Sequence, residues 1–88
     1  MITDLDREIM LITQEECAEV TQAISKVFRF GFLSHHNGKS NRQHLAEELG
    51  DLQCMIDLLI STGMVTQEEL DVAKQAKREK LRTWSNIK

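Results

Sequence analysis

The clearest structural signal in this chain lies in two segments, EECAEVTQAISKV at residues 15–27 and EELGDLQCMIDLLI at residues 47–60. In each segment apolar residues recur every three or four positions, the spacing that places side chains on one face of an α-helix. Across all 88 residues proline is absent and glycine is scarce, whereas Leu, Ile, Glu, Gln, Lys and Ala are plentiful. This composition is typical of an all-α protein.

The apolar spacing predicts three helices, because turn-forming residues interrupt it twice. The first helix begins with Thr3 as its cap and ends near residues 28–29. Residues 30–40 (FGFLSHHNGKS) break the pattern with two glycines and an Asn-Gly pair, which indicates a loop. The second helix begins with Asn41 as its cap and ends at Gly63, a residue that readily adopts the left-handed conformation found at helix ends.

The third helix begins at Thr66, which forms a capping box with Glu69, and extends through Leu81. Together the helices predict an antiparallel helical bundle that occupies residues 1–88 as a single domain. A chain of this length buries only about 60–70% of its unfolded surface, and three helices cannot cover both sides of the apolar stripes. We therefore expect self-association to complete the bundle.

Four acidic residues fall where a solvated charge is not expected. At about 100° per residue, Glu16 lies within the apolar stripe of the first helix and Glu48 within that of the second. Glu19 and Asp51, three residues later, flank the same stripes. Buried carboxylates without partners are costly, and four that face one another also repel. A positive charge must therefore occupy the gap: Lys26 can neutralise one acid, whereas divalent cations can neutralise all four.

The ligand chemistry favours a hard divalent cation. Carboxylate oxygens select Mg²⁺, with Mn²⁺ as a possible substitute, over zinc or copper. The absence of any ExxH pair disfavours a di-iron carboxylate bundle, which adds imidazole ligands. His44 lies off the apolar stripe and is expected to be a surface residue. The phasing further predicts that Glu16 and Glu48 are more buried than Glu19 and Asp51.

The acidic motifs carry a family resemblance. EECAE at residues 15–19 and EELGD at residues 47–51 resemble the EExxE…EExxD signature of the all-α nucleotide pyrophosphohydrolases, the MazG-like superfamily. The flanking sequences AISKVFRFG and NRQHLAEELGDLQ are similar to the small phage and bacterial members. The resemblance covers residues 11–60 well and the segment AKREKLRTW at residues 76–84 loosely.

This resemblance implies a Mg²⁺-dependent enzyme that cleaves a ribo- or deoxyribonucleoside triphosphate between the α and β phosphates. The products are the monophosphate and pyrophosphate, and the role is nucleotide-pool control or house-cleaning. The metal ligands are the acids that match the motif, namely Glu16, Glu19, Glu48 and Asp51. Glu15 and Glu47 either orient the ligands or the attacking water, or are solvated acids. Members of the superfamily usually act as homodimers or homotetramers.

The phosphates also require cations. Lys26 and Arg29 follow the first acidic pair by about two and three turns, and Lys77 and Lys80 lie on the strongly basic third helix. These four are our candidate substrate ligands. Lys77 and Lys80 are the first choices, because within the superfamily a basic residue of the last helix often binds phosphate. The alternative is that each is a solvated side chain. Trp84 either stacks on a base or packs against a partner subunit.

The loop between the first two helices is the expected wall of a base pocket, because binding residues concentrate on loops held by a rigid scaffold. Phe30 and Phe32 are candidates to sandwich a base, and His35 or His36 to hydrogen-bond it. Alternatively, residues 28–32 are the end of a helix that packs into the core. Neither reading distinguishes purine from pyrimidine.

Three rival functions remain open at this stage. Phosphoribosyl-ATP pyrophosphohydrolase shares the acidic pairs, but LQCM after Asp51 lacks the Tyr-His expected there. A dimeric dUTPase is a second enzyme on the same scaffold. A non-enzymatic helical dimerisation or regulatory module is the third, with its acids paired to Lys26 and Arg29.

Net charge and cysteine content restrict the partners and the cellular location that we expect. The net charge of −3 argues against a nucleic-acid partner, which normally requires a basic surface. Cys17 and Cys54 lack CxxC spacing and are expected to be reduced thiols. The N-terminal sequence MITDLDREIM is acidic, unlike a signal peptide, and no apolar run approaches membrane-spanning length. We therefore expect a cytoplasmic protein without a membrane partner.

Overall fold

The computed structural model describes residues 1–88, which form three helices and one small hairpin. In chain order the elements are α1 (Asp4–Phe30), β1 (His35–His36), β2 (Lys39–Ser40), α2 (Asn41–Ser61) and α3 (Gln67–Trp84). The prediction of an all-α protein with three main helices is confirmed. None of these helices combines the length and the apolar character needed to cross a membrane.

Each helix begins at a capping box, in which a side-chain oxygen accepts from a backbone N–H that lacks a partner within the helix. The predicted boxes at Thr3 and Thr66 are both present. The prediction that Asn41 caps the second helix is wrong by one residue. Ser40 is the cap, because its hydroxyl oxygen accepts from the N–H of Gln43 at 3.1 Å while the Gln43 side chain bonds back to Ser40 N–H at 2.8 Å.

The segment predicted as a loop contains an antiparallel β-hairpin formed by β1 and β2. Its turn residues, Asn37 and Gly38, have φ angles of 53° and 81°. A two-residue hairpin turn of type I′ requires positive φ at both central positions, which is why the Asn-Gly pair occurs here. The Asn-Gly signal therefore specified a hairpin and not only an irregular loop.

The hairpin is fixed to the ends of both long helices by Asn41. The Asn41 side-chain amide donates to the carbonyl oxygen of Gly31 at 3.0 Å, and the Asn41 backbone N–H donates to Ser34 at 2.9 Å. Asn41 is itself buried. Because these bonds hold the start of α2 against the end of α1, the two helices run antiparallel.

The core between α1 and α2 is small. Only three apolar residues are buried, Ile9 and Ala23 on α1 and Met55 on α2. Ala23 has no exposed surface, so the absence of a longer side chain there lets the two helices approach closely. Ala23 is the most fully buried residue of the chain.

The chain forms a layer one helix thick, because its extents are 44, 36 and 14 Å and an α-helix with its side chains is about 10–12 Å across. Residues of the predicted apolar stripes remain exposed as a result, including Leu5 at 59%, Ile24 at 41% and Leu49 at 44%. Helix α3 has no buried residue at all. The chain alone does not cover its own apolar stripes.

The prediction that residues 28–32 pack into the core is wrong. Phe28, Phe30 and Phe32 are 86%, 58% and 53% exposed. Helix α1 continues to Phe30, and the partly buried position near its end is Val27. At 100° per residue, Phe28 and Phe30 point away from that position on either side of it.

The Ala23 contact makes a stability prediction. Ala23→Leu should lower the free energy of unfolding by about 1–3 kcal/mol, because a larger side chain forces α1 and α2 apart. The matched control is Ala18→Leu, an exposed position on the same helix, which should change stability by less than about 0.5 kcal/mol. Urea denaturation measures both, and equal losses in the two variants would contradict this account of the packing.

Candidate metal centre

Helices α1 and α2 bring three predicted ligands together. Glu16, Glu48 and Asp51 each place one carboxylate oxygen within 4.8 Å of the other two. Glu16 and Glu48 are partly buried whereas Asp51 and Glu19 are exposed, which confirms the predicted order of burial. Glu19 does not join the three converging carboxylates and lies beside them. We call Glu16, Glu48 and Asp51 the carboxylate cluster.

Glu16 is the member of the cluster whose charged form is the least favourable. Its Oε2 atom is buried and has no hydrogen-bond partner. Partial burial raises the pKa of Glu16 above the ordinary value of 4.5, and the charges of Asp51, Glu48, Glu19 and Glu15 raise it further. The position therefore favours either a proton or a bound cation over a free carboxylate.

His44 belongs to the site, and the prediction that it is a surface residue is wrong. Its Nε2 atom lies 3.2 Å from Glu48 Oε1, and both side chains are largely buried, at 28% and 14% exposed. The pair is spaced i,i+4 along α2, so the two side chains lie one helical turn apart on the same face. That spacing was readable in the sequence and is the signal that identifies His44.

Two further predictions concern the charged neighbours of the cluster. Glu47 does not join it and pairs with Lys39, whose Nζ lies 2.8 Å from Glu47 Oε1. Glu15 is exposed and has no hydrogen-bond partner. Lys26 forms no ion pair with Glu19 or with any other acid, so the alternative in which Lys26 neutralises one of the acids is not observed. The three clustered carboxylates therefore have no lysine or arginine partner.

The other candidate cations lie elsewhere. The Arg29 guanidinium packs over the ring of Phe30 at 5.0 Å, and the Lys77 ammonium packs over the ring of Trp84 at 4.8 Å. Lys77 lies along a groove between α2 and α3, while Lys80 is exposed on α3. Within one chain, neither α3 lysine forms an ion pair with the carboxylate cluster.

Two adjoining cavities open between α1, the hairpin and the start of α2. The first has a volume of about 330 Å³ and the second about 280 Å³. Both are lined by Lys26, His36 and Asn41. The first adds Asn37, Lys39 and His44, and the second adds Phe30, Ser34 and His35. We call the first the polar cavity, and it adjoins the carboxylate cluster through His44.

The carboxylate cluster fits a divalent cation. Its converging atoms are all carboxylate oxygens, the ligands that Mg²⁺ and Mn²⁺ prefer. The unpartnered Oε2 of Glu16 is a buried acceptor that a cation would satisfy. Glu16, Glu48 and Asp51 would hold the cation, and Glu19 is the exposed acid beside them.

Comparison with known proteins gives one match. A family model, the MazG nucleotide pyrophosphohydrolase domain, matches residues 6–80, which is most of the chain. No curated protein and no solved structure gives a match. The matched residues include all three members of the carboxylate cluster.

The stress on Glu16 predicts a pH-dependent gain in stability when its charge is removed. The folded pKa of Glu16 lies above 4.5, so the stability of the cation-free protein falls as the pH rises from 4.5 through the folded pKa. Glu16→Gln should therefore raise the melting temperature at about pH 7 without divalent cations. At about pH 4, below the ordinary pKa of 4.5, Glu16 is mostly protonated in both states, so most of the gain should disappear.

Glu8→Gln is the matched control, since Glu8 is an exposed acid two turns earlier on the same helix. It should leave the melting temperature nearly unchanged at both pH values. A Glu16→Gln variant that melts below the wild type at pH 7 would show that the carboxylate stabilises the cation-free fold, contrary to this account.

Proposed function

The chain belongs to the MazG nucleotide pyrophosphohydrolase domain family, and we propose that it hydrolyses nucleoside triphosphates to monophosphates and pyrophosphate in a reaction that depends on Mg²⁺ or Mn²⁺. The observation that carries the proposal is the convergence of Glu16, Glu48 and Asp51 around an unpartnered buried oxygen. Such an arrangement is unfavourable without a cation, so its presence indicates a binding role. In the cytoplasm, the enzyme would control the nucleotide pool or remove unwanted nucleotides from it.

The reaction joins the oxygen of water to the α-phosphorus and breaks the bond from that phosphorus to the α–β bridging oxygen. Pyrophosphate leaves with the bridging oxygen, and the water loses a proton. A bound divalent cation supplies charge neutralisation at the phosphates and a lower pKa for the attacking water. Glu15 and Glu19 lie next to the cluster and outside it, so they are the acids free to orient the water.

The non-enzymatic alternative makes a different structural prediction. A helical module that used its acids only for stability would pair them with Lys26 and Arg29. Lys26 forms no ion pair, and Arg29 packs on Phe30 instead. The absence of these ion pairs supports a cation-binding site and not a set of internal ion pairs. The two related enzymes on the same scaffold, acting on phosphoribosyl-ATP or dUTP, differ only in the substrate.

We further propose that the enzyme is a homo-oligomer, a dimer or a tetramer. The support is the layer one helix thick, whose apolar stripes are open on α1 and α2. A second copy presents the same stripes and can bury them symmetrically. The same packing would give α3, which has no buried residue, a surface to pack against.

Hydrolysis of a panel of standard and modified nucleoside triphosphates with Mg²⁺ tests the reaction. We expect pyrophosphate and a nucleoside monophosphate as products. Glu48→Gln should lower the rate by at least about a hundredfold, because loss of a metal ligand costs more than loss of the groups that orient it. Asp57→Asn changes an exposed acid on the side of the same helix opposite Glu48 and should retain the rate. Release of orthophosphate, or no turnover of any nucleotide, would refute the proposed reaction.

Sedimentation velocity tests the self-association. Leu49 and Leu58 are 44% and 39% exposed on the same helix, but they lie nine residues apart and hence on opposite sides. Leu49→Asp should shift the protein towards the monomer, because it places a charge on the apolar stripe. Leu58→Asp should leave the oligomer intact. A wild type that is monomeric at all concentrations would contradict the proposal.

A further inference from the structure

We propose that the polar cavity beneath the β-hairpin binds the pyrophosphate part of the substrate, with Lys26 and Lys39 as its cations. This proposal rests on the proposed function, because it takes the carboxylate cluster as the place where the α-phosphate reacts. Lys26 is one of the four candidate substrate ligands that the sequence offered, whereas the sequence favoured Lys77 and Lys80 of α3 as the phosphate ligands. The leaving group would then lie between α1 and the hairpin.

The lining of the polar cavity suits an anion and not a base. No hydrophobic side chain lines it, so a planar ring has nothing to pack against. Its six side chains offer two ammonium groups, two imidazoles and two carboxamides, which are donors for phosphate oxygens. The adjoining cavity contains Phe30 and is the one that offers an aromatic surface.

The size of the polar cavity also fits. Its volume of about 330 Å³ is ample for two phosphoryl groups, since about 10–15 Å³ of such space already holds one water molecule.

The position of the cavity relative to the cluster is set by short, well-defined contacts. His44 lines the cavity and at the same time lies 3.2 Å from Glu48 Oε1. On the opposite side, the type I′ turn fixes Asn37, and the hydrogen bond from Asn41 to Gly31 ties the start of α2 to the end of α1. A triphosphate whose α-phosphate is at the cluster would extend its β and γ phosphates past His44 towards the cavity.

The two lysines differ in what an anion must displace. Lys26 has no acidic partner, so it is available to a phosphate without competition. The Lys39 ammonium is held by Glu47 at 2.8 Å, in a pair that is about half exposed on both sides. A bound pyrophosphate must compete with Glu47 for Lys39. Removal of the Glu47 charge should therefore strengthen pyrophosphate binding, a result that no loss of folding could imitate.

The test is equilibrium binding of inorganic pyrophosphate to the full chain by calorimetry, at low ionic strength with a chelator and without nucleotide. Lys26→Met and Lys39→Met should each weaken binding by about fivefold or more, the effect of losing one charge-assisted hydrogen bond. Glu47→Gln should tighten it by about twofold to fivefold. Orthophosphate should bind more weakly than pyrophosphate to the wild type.

The chain offers a matched control pair on α3. Lys74 lies 3.6 Å from Asp71, and the two side chains are exposed to a similar degree as Lys39 and Glu47. Lys74→Met and Asp71→Asn should leave pyrophosphate affinity unchanged. Equal losses for Lys39→Met and Lys74→Met, no tightening in Glu47→Gln, or no binding to the wild type would each overturn the proposal.

Binding without turnover separates this proposal from the proposed function. If nucleotides are hydrolysed and the predicted pattern of affinities is absent, the cavity proposal fails and the enzyme assignment stands. If no nucleotide is hydrolysed and the pattern is present, the cavity is a pyrophosphate site and the proposed function fails.

Discussion

Repulsion among three carboxylates held within 4.8 Å of one another is the constraint on which the rest of this structure depends. The fold must overcome it without a lysine or arginine at the cluster. It does so with contacts at some distance from the charges: the close approach of α1 and α2 at Ala23, and the bonds of Asn41 that tie the start of α2 to the end of α1. The raised pKa of Glu16 reflects the burial and the repulsion that these contacts do not relieve. The fold thus holds the three carboxylates in place before a cation binds.

Local rules predicted much of the fold and the position of the cluster. Helical phasing alone placed Glu16 and Glu48 on the inner face, because a period of 3.6 residues fixes direction regardless of what the helix packs against. The capping boxes at Thr3 and Thr66 were equally readable, since they involve only neighbours in sequence. His44 was misjudged although its spacing to Glu48 was visible. It lies at the margin of the apolar stripe, where phasing gives an ambiguous answer and the nearby carboxylate decides the side chain's position.

The remaining errors concern contacts between elements that are distant in sequence. Lys26 was one possible partner of an acid and instead lines two cavities beside the hairpin, whose path the helical pattern does not determine. Of the two alternatives for the phenylalanines at residues 28–32, packing into the core is wrong, because these side chains are exposed in the single chain. The expectation that Lys77 and Lys80 bind phosphate stays a prediction, because no periodicity within α3 specifies which side of α2 the helix lies along.

The single-layer architecture has a consequence for how the protein responds to its own abundance. Under the proposed self-association, part of the apolar surface becomes buried only between copies, so the folded fraction follows mass action. Dilution would then lower the folded fraction of this protein, as a mild denaturant lowers that of a monomeric protein. Catalytic output would rise more steeply than the number of chains, and a cell that makes few copies would have almost no activity. Under the proposed self-association, the activity of each chain would therefore depend on the level of expression.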